Sequence, residues 1–156
     1  MAAEDQEAVL ALLSEAKRLA QCYRALTGKP LGITGECAEY EAARLLGLDL
    51  APARTAGYDA TETDGGAVRK LQIKGRCLLP GHKPGQRLGS IDIRKEFDAV
   101  LLVLLDENFD ALEIVEASRE SVLDALAAPG SKARNERGAL GINKFKSIGT
   151  VRWSRP

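Results

Sequence analysis

Three groups of polar residues, in order along the chain, have the types and spacing of a hydrolytic metal site. Gly35-Glu36-Cys37-Ala38-Glu39-Tyr40 carries two carboxylates, Gly57-Tyr58-Asp59 carries one, and Gln72-Ile73-Lys74 follows a double-glycine turn. Side chains alternate along a strand, so Gln72 and Lys74 share a face. Asp64-Gly65-Gly66 has the residues of a hairpin turn and returns the chain so that Asp59 falls on the neighbouring strand. A carboxylate, an amide oxygen and an ammonium then converge on one point. Metal-assisted cleavage of a phosphodiester calls for such a group. Hard oxygen ligands hold Mg²⁺ with part of its water shell, and a lysine beside it orients or helps deprotonate the attacking water. A helix acid, Glu36 or Glu39, would complete the metal shell. Glu39 borders the helix's apolar stripe and Glu36 sits in its first turn, which leaves both open. Each residue also has a plainer reading: Asp59 as a turn residue, Gln72 and Lys74 as the solvated face of a strand, and Glu36 and Glu39 as charges favoured near a helix N-terminus.

The elements that must position these groups are legible from periodicity. Val9, Leu12, Ala16, Leu19 and Tyr23 recur at helical steps and predict a helix over about residues 5–26, stopped by Thr27-Gly28-Lys29-Pro30. Its stripe is expected to pack on the domain's own core, with dimerisation the lesser reading. Thr34-Gly35 opens a second helix running to about Leu46 and closed by Gly47. Its thin face of Ala38, Ala42, Leu45 and Leu46 suits close approach to a sheet. Residues 67–78 alternate as a strand, with Val68, Leu71, Ile73 and Leu78 inward, and a Gly/Pro-rich loop follows from Pro80 to Gly89. The aliphatic run Phe97–Leu105 reads as a strand buried on both faces. Ala111–Glu116 pairs with it through Asp106-Glu107-Asn108, and Ser118 caps a helix to about Ala128. A basic loop over 131–143 leads to a final strand over 144–153, with Phe145, Ile148, Val151 and Trp153 in alternation.

At 156 residues this is the material of one domain, expected to span 1–156, with an N-terminal helix (1–28), a motif region (35–105) and a C-terminal hairpin, helix, basic loop and strand (106–156). No apolar run reaches the roughly 20 residues of a membrane helix. Glu4, Asp5 and Glu7 stand where a signal peptide would be basic, and Cys22, Cys37 and Cys77 form neither a Cys-x-x-Cys pair nor an even set. A cytoplasmic, reducing setting is therefore expected, with each cysteine a small core residue. The net charge of zero conceals a segregation: residues 69–95 hold eight Lys/Arg against Asp92 alone, and residues 128–156 hold seven against Glu136 alone. If the two segments meet, they form a basic face for nucleic acid; otherwise they are two separate solvated loops. Arg76, Lys83, Arg87, Lys132, Arg134, Arg137, Lys144 and Lys146 would then contact phosphates.

A helix-borne Glu, then Tyr-Asp, then Gln-x-Lys after a hairpin resembles the PD-(D/E)xK nuclease superfamily, in the branch where Gln replaces the second acid. Gly35-Glu36, Leu45-Leu46-Gly47 and Gln72-Ile73-Lys74-Gly75 are similar to stretches of small restriction-endonuclease-like and intron-endonuclease-like members. The resemblance covers about residues 35–105. It implies an α/β fold with a restriction-endonuclease-like αβββαβ core and a mixed sheet, here preceded by an extra N-terminal helix. It further implies Asp59 as main metal ligand, Gln72 as neutral ligand, Lys74 as catalytic lysine, and Glu36 or Glu39 as the helix acid. The cofactor would be Mg²⁺ or Mn²⁺ and the substrate DNA, in defence or repair, with specificity supplied by a homodimer or a partner protein. Gln in place of an acid removes one negative charge from the metal shell. That leaves open a nuclease-fold module that binds nucleic acid without cutting it. A third alternative is an interaction or immunity-type protein whose charge split serves a protein partner.

Overall fold

Aliphatic density and alternation sort the chain into one sheet with helices on both faces. The computed structural model describes residues 2–82, 85–128 and 139–156. Among them the order is α1 (Ala3–Thr27), α2 (Thr34–Leu46), β1 (Asp49–Leu50), β2 (Ala60–Asp64), β3 (Ala67–Cys77), β4 (Ala99–Leu105) and β5 (Ala111–Ser118). Then follow α3 (Arg119–Ala127), α4 (Ile142–Ile148) and β6 (Thr150–Ser154). The six strands form a mixed sheet in sequential order; β3 and β4 are parallel and all other neighbours antiparallel.

The period of two divides the sheet's side chains between two cores. Leu71, Ile73, Leu101, Val103 and Ile114 pack under Cys37, Ala38, Ala42 and Ala43 of α2 and Ala20 of α1. On the other face Val100, Leu102, Leu104 and Val115 meet Val122 and Leu126 of α3, Ile142 and Phe145 of α4, and Leu88, Ile91 and Phe97 from the β3–β4 connection. Every residue of β4 is buried, as its uninterrupted aliphatic run implies. Glu41 is buried with its carboxylate satisfied by Arg44, Lys17 and the Ala111 N–H, which ties both N-terminal helices to the start of β5. Beyond the start of β4, Glu62, Arg69, Glu116 and Arg152 form a closed ring of ion pairs across β2, β3, β5 and β6. Two cations of the basic segments are thereby neutralised within the fold.

Several expectations need correction. Residues 144–153 are not one strand: Ile142–Ile148 is helical and only Thr150–Ser154 is extended. Phe145 lies three residues after Ile142, a spacing that a helix buries on one face, and both are buried. Val68 points to solvent, 61% exposed, because it shares the parity of Gln72 and Lys74 and not that of the inward Leu71 and Ile73. On α1 the predicted stripe is largely outward, with Leu12, Leu19 and Tyr23 exposed. The second helix takes Ile33, not Thr34, as its N-cap and receives no side-chain cap bond. Of the cysteines only Cys37 is a core residue; Cys77 is half-buried and Cys22 exposed. Between β3 and β4 the described residues contain no helix, and α3 follows β5 instead.

Candidate active site

The site forms where β2 leaves β3. Pairing of the two strands ends at Ala60 opposite Leu71, while β3 continues to Cys77. The backbone groups of β3 past this point need other partners. Asp59 supplies one: its N–H donates to the Leu71 carbonyl at 2.8 Å, and its carboxylate accepts the Ile73 N–H at 2.7 Å. Gln72, 6% exposed, donates from Nε2 to the Gly57 carbonyl at 3.0 Å. Its Oε1 accepts no hydrogen bond from the described residues, and since no buried side-chain oxygen lacks a partner there, this atom remains open to solvent. Gly57 sets the turn into Asp59 at φ 97°, and a Cβ there would lie 2.8 Å from the Glu96 carbonyl oxygen. Only glycine satisfies both conditions.

Asp59, Gln72 and Lys74 line one open pocket of about 150 Å³, together with Ser90, Asp92 and Lys95. On the opposite face of β3 from this pocket, α2 is seated by a close contact. A Cβ on Gly75 would stand 2.6 Å from Ala38 Cβ, so the absent side chain lets α2 lie directly on β3. Glu39, next to Ala38, is the carboxylate that comes near Asp59. Burial pushes its pKa up to about 7, and the charges of Asp59 and Glu36 add to the rise. Glu36 itself is exposed in the first helical turn. Burial lowers the pKa of the Lys74 ammonium; Asp59 opposes this, and Arg76 and Lys95 reinforce it. Glu39 and Asp59 thus repel one another electrostatically, and the half-buried Lys74 beside Asp59 gives up its proton more readily than a free lysine.

The donor set fits a hard divalent ion loosely. Glu39, Asp59 and the open Gln72 Oε1 are oxygen donors of the kind Mg²⁺ takes. Among the described residues no three His, Cys, Asp or Glu side chains are grouped to hold a metal.

The basic residues divide by what they already hold. Arg76 donates to the Arg87 and Gly75 carbonyls, and Arg87 donates to the Ala139 carbonyl at 3.0 Å. Lys146 pairs with Glu113 at 2.9 Å, whereas Lys144 is exposed with no ion pair among the described residues. Lys83, Lys132, Arg134 and Arg137 lie outside the described residues. The two basic segments do meet. The Leu88 N–H bonds the Leu140 carbonyl at 2.9 Å, the Ile142 N–H bonds the Gln86 carbonyl at 3.0 Å, and Arg87 bridges Gly141. Lys95, Ser90 and Asp92 complete the pocket without belonging to any motif of the sequence. They arrive on a loop without motif, and the basic bias of 69–95 was their only signal. Asp92 is held by Arg94, while the Lys95 ammonium has no ion pair among the described residues.

The raised Glu39 pKa has a sign that experiment can check. The folded chain keeps this proton up to about pH 7, whereas the unfolded chain releases it near 4.5. The folded state therefore binds more protons in that window, and stability falls as pH rises through it. Glu39→Gln should raise the melting temperature at pH 8 relative to wild type and leave it unchanged near pH 4. Scanning calorimetry across that range decides this. An equal gain at both pH values would show that Glu39 is not titrating.

No protein-family model matches this chain, and no curated protein sequence is significantly similar to it.

Proposed function

We propose that the protein is a metal-dependent nuclease of the PD-(D/E)xK kind that hydrolyses DNA phosphodiester bonds. The observation that carries this reading is the convergence of Asp59, Gln72 and Lys74 on one pocket, on the face of β3 turned away from α2, with Glu39 in electrostatic reach of Asp59. The succession of α2, three antiparallel strands and a parallel fourth supports the reading, while the described residues of the β3–β4 connection contain no helix. Glu39, Asp59 and Gln72 would hold Mg²⁺ or Mn²⁺, which when bound polarises the scissile phosphate and acidifies a water. Lys74, with its lowered pKa, takes up the proton of the attacking water and offsets charge at the phosphate. Lys95, unpaired on the rim, holds a neighbouring phosphate in register. A role in DNA defence or repair, in the cytoplasm, suits this chemistry.

A second reading rests on the Gln72–Gly57 bond and the Asp59–Ile73 bond. Both tie the 57–59 turn to the middle of β3, a structural role, so the same residues would serve a nuclease-fold module that binds nucleic acid through its joined basic segments and does not cleave.

Gln72→Glu separates the two. It adds a charged metal ligand but loses the donor to Gly57, leaving a carboxylate beside a carbonyl, which costs about 1–3 kcal/mol in the metal-free protein. The variant should melt below wild type in chelator, recover in Mg²⁺, and bind the ion at least tenfold more tightly by calorimetry. Wild type and variant are incubated with supercoiled, linear and single-stranded DNA and with RNA, in Mg²⁺ and in Mn²⁺. Cleavage by either supports the enzyme. If neither cuts any substrate and calorimetry finds no ion site, the non-catalytic reading replaces it.

A further inference from the structure

Helix α1 carries two seams. One faces the domain: Leu13 and Ala20 pack on the core, Lys17 pairs with Asp110 at 2.8 Å, and Arg24 bonds the Glu107 carbonyl at 3.0 Å. Arg24 also stacks over the Phe109 ring at 5.0 Å. One residue back, about 100° around the helix, runs the second seam. Val9, Leu12, Ala16, Leu19, Tyr23 and Leu26 alternate in steps of three and four, the heptad pattern of a helix that pairs with another helix. The first seam fixes the helix, so the second is turned away from the core. Leu12 is 65% exposed, Leu19 61%, Tyr23 40% and Leu26 88%. These are half of the large apolar side chains exposed among the described residues, aligned on one stripe of a 25-residue helix. Singly exposed leucines are ordinary; a line of them at heptad spacing marks an interface.

Charge identifies the occupant. Residues 3–14 carry Glu4, Asp5 and Glu7 and no basic residue, whereas residues 15–29 carry Lys17, Arg18, Arg24 and Lys29 against Glu15 alone. Lys17 and Arg24 are engaged within the domain, while Arg18 and Lys29 have no side-chain partner among the described residues. A helix acidic in one half and basic in the other is complementary to itself reversed. Parallel pairing would set like charges together, and the acidic first half would be repelled by an anionic membrane surface.

We propose that α1 is a dimerisation helix that pairs antiparallel with α1 of a second copy of this chain. The two-fold axis passes at the level of Lys17 and Arg18. Ala16 then meets Leu19 of the other copy, Leu12 meets Tyr23 and Val9 meets Leu26, each small or medium side chain facing a larger one. Lys29 reaches the acidic start of the other helix. The contact is isologous and closes at two copies. It stands independently of the nuclease reading.

Sedimentation equilibrium of the full chain should give twice its 16.7 kDa mass. Leu19→Glu sets two carboxylates next to the axis. It should weaken association at least 100-fold, with an unchanged circular-dichroism spectrum because residue 19 does not touch the core. Leu19→Ala should weaken it less. Orientation is read by crosslinking in a Cys22→Ser background. A Leu12→Cys chain should oxidise to a tagged Tyr23→Cys chain, and Leu26→Cys chains should not crosslink with one another. A wild type that stays monomeric at high micromolar concentration overturns the proposal, as does a Leu19→Glu protein that remains dimeric. Efficient Leu26→Cys self-crosslinking would overturn the antiparallel arrangement.

Discussion

Lys74→Ala should lower cleavage by about three orders of magnitude while leaving nucleic-acid affinity within about twofold, as expected for a general acid–base group that also offsets charge in the transition state. The residue lies in a pocket with Asp59 and is half-hidden from solvent, so its amine is placed for a reacting atom and not for a long stretch of backbone. On the proposed reading affinity would come from phosphate contacts on the joined basic segments, and it should fall steeply with added salt. Removing the ammonium also removes a positive charge from beside the proposed metal ligands. Mg²⁺ binding to Lys74→Ala should therefore be as tight as to wild type or tighter. Lys74→Arg should fail almost as badly, because a guanidinium keeps its proton at any working pH. Single-turnover cleavage, filter binding over a salt series and calorimetry with Mg²⁺ measure the three effects. Undiminished cleavage by Lys74→Ala removes the lysine from the mechanism; loss of DNA binding along with cleavage would make it a binding residue instead.

Gly75→Ala should damage both stability and the site. The added methyl would sit 2.6 Å from Ala38 Cβ and 3.2 Å from the Thr34 carbonyl oxygen, which forces α2 off the sheet. Overpacking of this kind costs about 1–3 kcal/mol. The functional loss should exceed the thermodynamic one, since Glu39 rides on the displaced turn while Asp59, Gln72 and Lys74 stay on the strands. Mg²⁺ affinity should fall about tenfold or more, and the Glu39 proton should be lost at lower pH as the displaced acid gains water and moves away from Asp59. Ala38→Gly in the same chain removes the opposing methyl and should restore most of the metal affinity. It should recover only part of the stability, because glycine within a helix costs about 1 kcal/mol. Denaturant titration and calorimetry of the single and double variants form the test. Additive losses in the double variant would show that the two side chains do not compete for the same space.

What residue order determines by itself is local. The alternation of β3 puts Gln72 and Lys74 on one face whatever surrounds them, and the Gly65-Gly66 turn returns the chain so that Asp59 stands opposite Gln72. The aliphatic run of β4 is buried on both faces for the same reason: no partner other than protein suits seven apolar residues in succession. Residues 142–148 are ambiguous in sequence, because Ile142, Phe145 and Ile148 satisfy a helix through their spacing of three while Phe145, Val151 and Trp153 satisfy a strand. The packing of Ile142 and Phe145 against the sheet settled the matter. The choice between Glu36 and Glu39 has no local signal, since both lie in the same stretch of helix. The contact of Ala38 with Gly75 brings Glu39 toward Asp59 and leaves Glu36 in solvent. The meeting of the two basic segments, the neutralisation of Arg69 and Arg152, and the arrival of Lys95 at the pocket were likewise decided only in three dimensions. A heptad seam on α1 looks the same to the chain whether it meets its own core or another helix. Lys17 and Arg24, by engaging Asp110 and Phe109, rotate the helix so that the seam faces outward. Periodicity states which side chains share a face; only the partners that hold an element in place determine where that face points.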